Sequence, residues 1–146
     1  QRVLSMVIKY NNGEVSERNN MDSDDNTLIN MPEEQFSKYC ELMENFEFSN
    51  ALSIVWEIIR KANSYVDHKA PWNLYKDNKV KLATTLNVLV NTIFKINILI
   101  QPFLPISAKK VFHQLNVKEF NDFTCIKHEI KVGSKINKPE GVFPRI

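Results

Sequence analysis

Apolar residues recur at spacings of three and four along four stretches of the chain, a pattern typical of amphipathic helices. The first two stretches carry Phe36, Tyr39, Cys40, Met43 and Phe46, and then Leu52, Val55, Trp56, Ile59, Ala62, Tyr65 and Val66. The last two carry Leu82, Leu86, Leu89, Val90, Ile93, Phe94, Ile96, Leu99 and Ile100, and then Val111, Phe112 and Leu115. We predict a helix for each stretch, with the third at the centre of a bundle and Trp56 in the core.

Capping residues predict where these helices begin. The first is expected to start at Pro32, because proline suits the first helical position and Glu33 and Glu34 follow it. The other predicted N-terminal caps are Ser49 or Asn50, Asp77–Asn78 and Ser107. An apolar pattern also begins at Gln1, which predicts that the chain opens inside or just before a further helix.

Prolines predict where two helices end, because the ring removes a backbone donor and disfavours helical geometry in the residue before it. Pro71 ends the second predicted helix, and Pro102 and Pro105 end the third. The polar segment 11–30 is interpreted as a connection, and after Asn116 the periodicity fades. We therefore predict an all-α antiparallel helix bundle over residues 1–116 with an irregular C-terminal extension over 117–146.

Composition fits one domain with an ordinary core. The chain has 146 residues, of which 43% are hydrophobic and 25% charged, and its net charge is +2. Its most apolar stretch, Val80 to Phe103, contains lysines and asparagines that are too costly in lipid, so no membrane span is predicted. Cys40 and Cys125 do not make a disulfide framework, and no signal-peptide pattern opens the chain, which favours a reducing cytoplasmic compartment.

Catalytic and metal-binding patterns are weak. The three glycines do not form a phosphate-binding loop. Cys125 and His128 have a spacing that metal sites use, but two ligands do not close a zinc site. We predict no catalytic residue and no metal in this chain.

The most informative stretch is the corner that follows the second predicted helix. Trp72 comes directly after Pro71, with Lys69 and Lys76 on either side. An exposed tryptophan at a rigid turn can stack on an unpaired base, and the two lysines could contact phosphates. The same ring could instead pack against Leu74 and a neighbouring helix, and residue type alone favours that second interpretation.

Three motifs together resemble one protein family. A-N-S-Y-V-D-H-K-A-P-W at 62–72 is similar to the Ala-Asn-x-Tyr-(Ile/Val)-Asp-x-x-x-Pro-Trp signature of methionyl-tRNA synthetases, in their helical anticodon-binding domain. Q-P-F-L-P at 101–105 resembles the end of a long helix of that domain. I-N-K-P-E-G-V-F-P-R-I at 136–146 resembles its C-terminal tail, with valine in place of leucine at Val142.

The resemblance implies roles for particular residues. Trp72 would stack on the first anticodon base, a cytosine, and Pro71 would shape that contact. Arg2 matches an arginine that faces the anticodon, while Asn63 and Asp67 match positions that hold this arginine in place. Asn63 and Asp67 are four residues apart and so share one helix face, from which a carboxylate can bind a guanidinium.

The resemblance also implies partners that lie outside the chain. The full enzyme would join methionine to its tRNA with ATP and Mg²⁺, and with Zn²⁺ in members that carry the zinc-bearing insertion. This chain would contact the CAU anticodon loop, with no DNA or membrane partner, and its extension 117–146 would pack back towards the catalytic domain. Two alternatives stay open: a helical protein-interaction module that uses the Pro-Trp corner, or the anticodon domain of another class I synthetase.

Overall fold

The computed structural model describes residues 1–118 and 123–142, and their regular elements are helices. The six α-helices are α1 (Arg2–Asn11), α2 (Ser23–Glu44), α3 (Phe48–Lys69), α4 (Pro71–Asp77), α5 (Lys79–Ile100) and α6 (Pro105–Leu115). A short 3₁₀ helix, η1 (Phe123–Lys127), lies in the C-terminal extension. The prediction of an all-α bundle with an irregular tail is confirmed.

Helix α5 lies at the centre of the bundle, as its wide apolar stripe predicted. It contacts α1, α2, α3, α4, α6 and η1, and it begins where predicted, with Asn78 accepting a hydrogen bond from the backbone N–H of Lys81. Among the described residues, α5 is the one helix that is long and apolar enough to cross a membrane, but 78% of its most apolar window is buried inside the bundle. Such burial is what the core helix of a bundle requires.

Three buried asparagines of α5 bond to other parts of the chain. The side-chain amide of Asn87 donates to the carbonyl of Ser16 at 2.6 Å, and that of Asn97 donates to the carbonyl of Ala108 at 2.9 Å. The Oδ1 of Asn91 accepts the backbone N–H of Ile130 at 2.7 Å. These bonds satisfy buried polar groups and attach the connection after α1, helix α6 and the C-terminal extension to the central helix.

The two irregular segments also pair with each other. Glu14 and Lys135 form an isolated antiparallel bridge. The backbone N–H of Val15 donates to the carbonyl of Ser134 at 2.9 Å, and that of Gly133 donates back to the carbonyl of Val15 at 2.8 Å. Gly133 has a φ of 86°, which a residue with a side chain rarely adopts. We call segments 12–22 and 128–137 together the strap, because they bond to each other and both bond to α5.

The predicted start of α2 at Pro32 is wrong. The helix begins at Ser23, because Asp22 and Asp25 form a capping box: each side chain accepts the other's backbone N–H at 3.0 Å. Pro32 therefore lies inside α2, where it is buried and cannot donate to the carbonyl one turn earlier. The interpretation of 11–30 as a connection consequently fails for its last eight residues.

Two other predicted caps are also wrong. Helix α3 begins at Phe48 after Glu47, one residue before Ser49, and α6 begins at Pro105 rather than after Ser107. Neither helix has a side-chain hydrogen bond at its N-terminal cap. Proline at the first position of α6 removes one donor that would otherwise need a partner, so the helix starts without a cap.

The prediction that Trp56 is a core residue is wrong as well. Its side chain is 47% exposed and lines a groove between α3 and α5, in which Ile59, Ile96 and Leu104 also take part. The apolar stripe of α3 is wider than the surface that α2 and α5 cover. A stripe defined by spacing alone does not show which of its edges a neighbouring helix reaches.

An ion pair between α2 and α5, in which the lysine is buried, gives a prediction on stability. The ammonium of Lys95, with 2% of its side chain exposed, donates to Glu33 at 2.7 Å. Replacing Glu33 with alanine leaves that ammonium buried without its carboxylate, and we expect a loss of about 2 kcal/mol in the free energy of unfolding. Urea denaturation measures it.

The neighbouring acid provides the control for this experiment. Glu34 is exposed and follows Glu33 directly in α2. Glu34→Ala should therefore change the free energy of unfolding by less than about 0.5 kcal/mol. Adding Lys95→Met to Glu33→Ala should restore part of the loss, because the buried charge is removed. Equal effects of Glu33→Ala and Glu34→Ala would contradict the assigned role of the pair.

Candidate functional site

The site begins at a backbone corner between α3 and α4. Helix α3 ends at Lys69, and Ala70 adopts a left-handed conformation with φ 46° and ψ 68°. Such a conformation in a non-glycine residue costs about 1–3 kcal/mol, so the surroundings must impose it. Pro71 then occupies the first position of α4 and is buried. The carbonyl of Ala70 accepts the N–H of Asn73 at 2.9 Å, which starts the new helix.

Trp72 lies in the first turn of α4, and its side chain is 39% exposed. The guanidinium carbon of Arg2 lies 5.2 Å from the centre of the Trp72 ring, which is a cation–π distance. The ring is therefore only partly packed, and one described contact to it comes from the exposed side chain of Arg2 rather than from the core. Of the two interpretations of Trp72, this exposure favours the stacking platform.

Arg2 also approaches Asp67. One guanidinium nitrogen lies 3.6 Å from Oδ1 of Asp67, and the two side chains are 62% and 71% exposed. Asn63 lies one turn earlier on α3 and lines the same groove as Arg2, but among the described residues no hydrogen bond joins these two side chains. The structure thus brings Arg2, Asp67 and Trp72 together at one surface and leaves Asn63 beside them without a direct bond to Arg2.

The groove next to this surface has a volume of about 540 Å³ and is mostly apolar. It runs between α3, α5 and α6. Arg2 and Asn63 lie on its wall, together with Trp56 and Val142.

The structure does not place Lys69 where a phosphate could reach it, which corrects the expectation from its position beside Trp72. Only 4% of its side chain is exposed, and its ammonium bonds to Asp22 and lies 3.3 Å from Oδ1 of Asp25. Lys76 is exposed on α4 and keeps a position compatible with a phosphate contact. A basic residue close to a platform in sequence can thus be a buried ion-pair partner.

The acids that bind Lys69 form a cluster with Tyr65, called here the anchor cluster: Asp22, Asp25, Tyr65 and Lys69. The Tyr65 hydroxyl donates to Oδ1 of Asp25 at 2.5 Å. The hydrogen bond from Lys69 lowers the pKa of Asp22. Burial and then the bond to Asp25 raise the pKa of Tyr65. Burial alone would lower the pKa of Lys69, but the bonds to both carboxylates outweigh it and raise that pKa.

An aromatic pair that the sequence did not indicate lies near the platform. Tyr75 is on α4, three residues after Trp72, and its ring stacks on Tyr10 of α1 with centroids 4.7 Å apart. The ammonium of Lys79 lies 5.5 Å from the Tyr75 ring, and that of Lys9 lies 5.4 Å from the Tyr10 ring. The three-residue spacing of Trp72 and Tyr75 could have indicated that both rings lie on one face of α4. No pattern in the sequence indicated that Tyr75 would contact Tyr10.

Metal chemistry has little support in the part of the chain that the structure describes. No group of three or more histidine, cysteine or acidic side chains is arranged to hold an ion within residues 1–118 and 123–142. Cys40 and Cys125 are free thiols there. What the site offers is a half-exposed indole ring, a guanidinium, a carboxylate and nearby ammonium groups, which are binding rather than catalytic chemistry.

The family model described as the anticodon binding domain of methionyl tRNA ligase matches residues 15–146. The chain therefore belongs to the family of anticodon-binding domains of methionyl-tRNA ligases. The match favours methionyl over other class I synthetases. The last part of the C-terminal motif, residues 143–146, lies outside the described residues.

Named relatives agree with this family. The chain is 34% identical to the methionine–tRNA ligase of Pyrococcus abyssi over 145 residues, which is 99% of the chain and 20% of the relative. It is 35% identical to that of Caldanaerobacter subterraneus subsp. tengcongensis over 149 residues, covering 99% of the chain and 23% of the relative. The chain thus spans about a fifth of the length of these curated relatives.

Solved structures give the same result. The free form of Mycobacterium tuberculosis methionyl-tRNA synthetase matches with a TM-score of 0.95 and 28% identity, over 100% of this chain and 30% of that one. The same synthetase in complex with methionyl-adenylate matches with a TM-score of 0.94 and 27% identity, over 99% and 30% of the two chains.

The contact between Arg2 and Trp72 gives a prediction on fluorescence. In a Trp56→Phe background Trp72 is the single tryptophan, and Arg2→Ala should shift its emission to longer wavelength and increase its quenching by acrylamide. The melting temperature should change little, because an exposed cation–π contact is worth about 0.5–1 kcal/mol. Lys9→Ala, on the same helix but against Tyr10, is the matched control and should leave the emission unchanged. Identical spectra for both variants would refute the contact.

Proposed function

We propose that this chain binds the anticodon loop of methionine tRNA and recognises its CAU sequence. The observation that carries the proposal is the position of Trp72, partly exposed at a strained corner and covered on one side by Arg2. One base stacked on an aromatic ring is worth about 1–3 kcal/mol. The first anticodon base, a cytosine, would stack on this ring, and the buried Pro71 would fix the ring's approach.

Stacking alone does not select a base, because every base has an aromatic face. Selection requires hydrogen bonds to the edge of the base. Arg2 is a donor whose guanidinium lies over the ring, and it would turn from the indole to the base. Asp67, 3.6 Å from Arg2, would limit the directions that the guanidinium can take, and Asn63 would add a polar group on the same side.

The phosphates of the loop would meet exposed ammonium groups. Lys76 lies on α4 beyond Trp72 and is exposed. It would contribute a contact that does not depend on base identity, as phosphate contacts generally do. The weak net charge of +2 fits binding that depends on a local surface rather than on the field of the whole domain.

The longer protein, in this proposal, is a cytoplasmic methionine–tRNA ligase that joins methionine to its tRNA with ATP and Mg²⁺. The catalytic domain, and Zn²⁺ where the zinc-bearing insertion is present, would belong to the part of that protein outside this chain. The role of this chain would be selection of the tRNA, and its C-terminal extension 117–146 would face the catalytic domain.

A binding experiment tests the role of Trp72. A labelled stem-loop with the CAU anticodon should bind the chain, and a stem-loop that differs only in its first anticodon base should bind more weakly, as followed by fluorescence anisotropy. Trp72→Ala should weaken CAU binding by about 5-fold to 100-fold, which is the loss of one stack. Trp56→Ala is the matched control, because Trp56 is also partly exposed, at 47% against 39% for Trp72, but lies about 20 Å along α3 from the corner.

The outcomes separate the proposal from a protein-interaction module. A module of that kind would show no preference for CAU and no loss of RNA binding on Trp72→Ala. Equal losses for Trp72→Ala and Trp56→Ala would also contradict the platform, because they would indicate binding through exposed aromatic surface in general.

The pair of Arg2 and Asp67 gives a separate prediction. Asp67→Ala frees Arg2 and should weaken CAU binding by about 1.4-fold to 5-fold, since exposed ion pairs are worth about 0.2–1 kcal/mol. In an Arg2→Ala background the same substitution should have no further effect. Glu57→Ala removes an equivalent exposed acid from α3 and controls for the lost negative charge. If Asp67→Ala leaves CAU affinity unchanged, Asp67 does not position Arg2.

A further inference from the structure

An ion pair joins the end of helix α3 to the start of α2, one residue before the corner at Ala70. Lys69 is the last residue of α3 and precedes the left-handed Ala70. Its ammonium, buried with the rest of the side chain, contacts Asp22 and Asp25. The end of α3 is therefore fixed by a bond to a part of the chain 47 residues away in sequence.

The carboxylate oxygens of the anchor cluster are all engaged. Asp22 uses one oxygen for the backbone N–H of Asp25 and the other for Lys69. Asp25 uses one oxygen for the backbone N–H of Asp22 and the other for the Tyr65 hydroxyl and Lys69. A network in which every member is satisfied is rigid, because any shift of one group breaks bonds that buried groups cannot replace with water.

Charge balance holds the cluster together in a second way. Two carboxylates face the single buried ammonium of Lys69, and Lys81 at the start of α5 lies 3.6 Å from Asp22. The ammonium of Lys69 also lies 5.5 Å from the centre of the Tyr65 ring. Removing Lys69 would leave the two acids of α2 with only the more exposed Lys81 nearby, and the end of α3 would lose its charged bond to α2.

The corner itself needs such a constraint. Ala70 holds a conformation that an alanine adopts only when neighbouring structure imposes it. On its C-terminal side the buried Pro71 restricts the chain, and on its N-terminal side the nearest fixed group is Lys69. We propose that the anchor cluster, through Lys69, is the positioning device that sets the corner and thereby the direction of the Trp72 ring.

This inference rests on the proposed function, in which Trp72 is the base platform, and it assigns to Lys69 a role in that binding without contact to RNA. It predicts that Lys69 and Trp72 are energetically coupled. Lys69→Met should weaken binding of the CAU stem-loop by about 5-fold or more, part or all of one stack. In a Trp72→Ala background the same substitution should have no further effect, because the platform that it positions is already absent.

A matched control and the salt dependence separate positioning from loss of charge. Lys38→Met removes an exposed lysine of α2 and should leave affinity unchanged in both backgrounds. A lost phosphate contact would reduce the slope of log affinity against log salt concentration by about 0.7, with or without Trp72. For Lys69→Met we expect an unchanged slope. A reduced slope, or equal losses with and without Trp72, would overturn the positioning role.

A milder substitution covers the case in which Lys69→Met does not fold. Tyr65→Phe removes one hydrogen bond from Asp25 and keeps the ring, so the helices should stay in place. It should weaken CAU binding by a smaller factor than Lys69→Met, again only when Trp72 is present, and Lys69→Arg should bind more tightly than Lys69→Met because it keeps the charge. Unchanged affinity for Tyr65→Phe in a folded protein would overturn the proposal.

The free protein provides a readout that does not depend on RNA. In the Trp56→Phe background, Lys69→Met should change the emission maximum and acrylamide quenching of Trp72, whereas Lys38→Met should not. If the unsubstituted chain shows no preference for CAU, the proposed function fails while this readout still tests the positioning. If the unsubstituted chain prefers CAU but Lys69→Met leaves the emission and quenching of Trp72 unchanged, the positioning inference alone fails.

Discussion

The central helix α5 is buried on nearly all sides, and the remaining structure depends on how its polar groups are satisfied. A buried amide or ammonium without a partner costs more than most single contacts contribute. Asn87, Asn91, Asn97 and Lys95 each meet this requirement by bonding to a different neighbouring part of the chain. The same residues that make α5 unsuitable for lipid therefore fix the register of the elements around it.

The corner after α3 illustrates a different balance. A left-handed alanine is unfavourable, and a buried ammonium between two acids is favourable only when its geometry is complete. The alanine is Ala70 and the ammonium belongs to Lys69, the residue before it. The conformational cost at Ala70 is therefore offset by the contacts of Lys69. The corner then exposes part of the Trp72 ring, although a free indole would gain by packing further into the core.

Much of this arrangement could be predicted from sequence. The stripe of α5 and the proline at 71 predicted the central helix and the corner, because periodicity and backbone chemistry are local properties. The start of α2 was missed since Pro32 resembled a first helical residue, although the Asp22–Asp25 spacing was a usable capping signal. The sequence thus held two signals for the start of α2, and the helix begins at the capping box rather than at the proline.

The remaining misses concern contacts between distant residues. Lys69 was expected to contact a phosphate because it lies beside Trp72 in sequence, and its partners at Asp22 and Asp25 could not be located without the fold. The exposure of Trp56 depends on which edge of α3 its neighbours cover, which spacing does not encode. The family resemblance implied that Arg2 faces the anticodon, but neither it nor any pattern within the chain predicted the contact between Arg2 and Trp72.

The strap has a consequence for the order in which the domain forms. Val15 and Ser134 are roughly 120 residues apart in sequence, whereas α2 with α3 and α4 with α5 meet across short turns. Closing a long loop costs entropy before its few hydrogen bonds are gained. The helices can therefore assemble first on neighbouring contacts, and the strap closes last, over a bundle whose shape is already set.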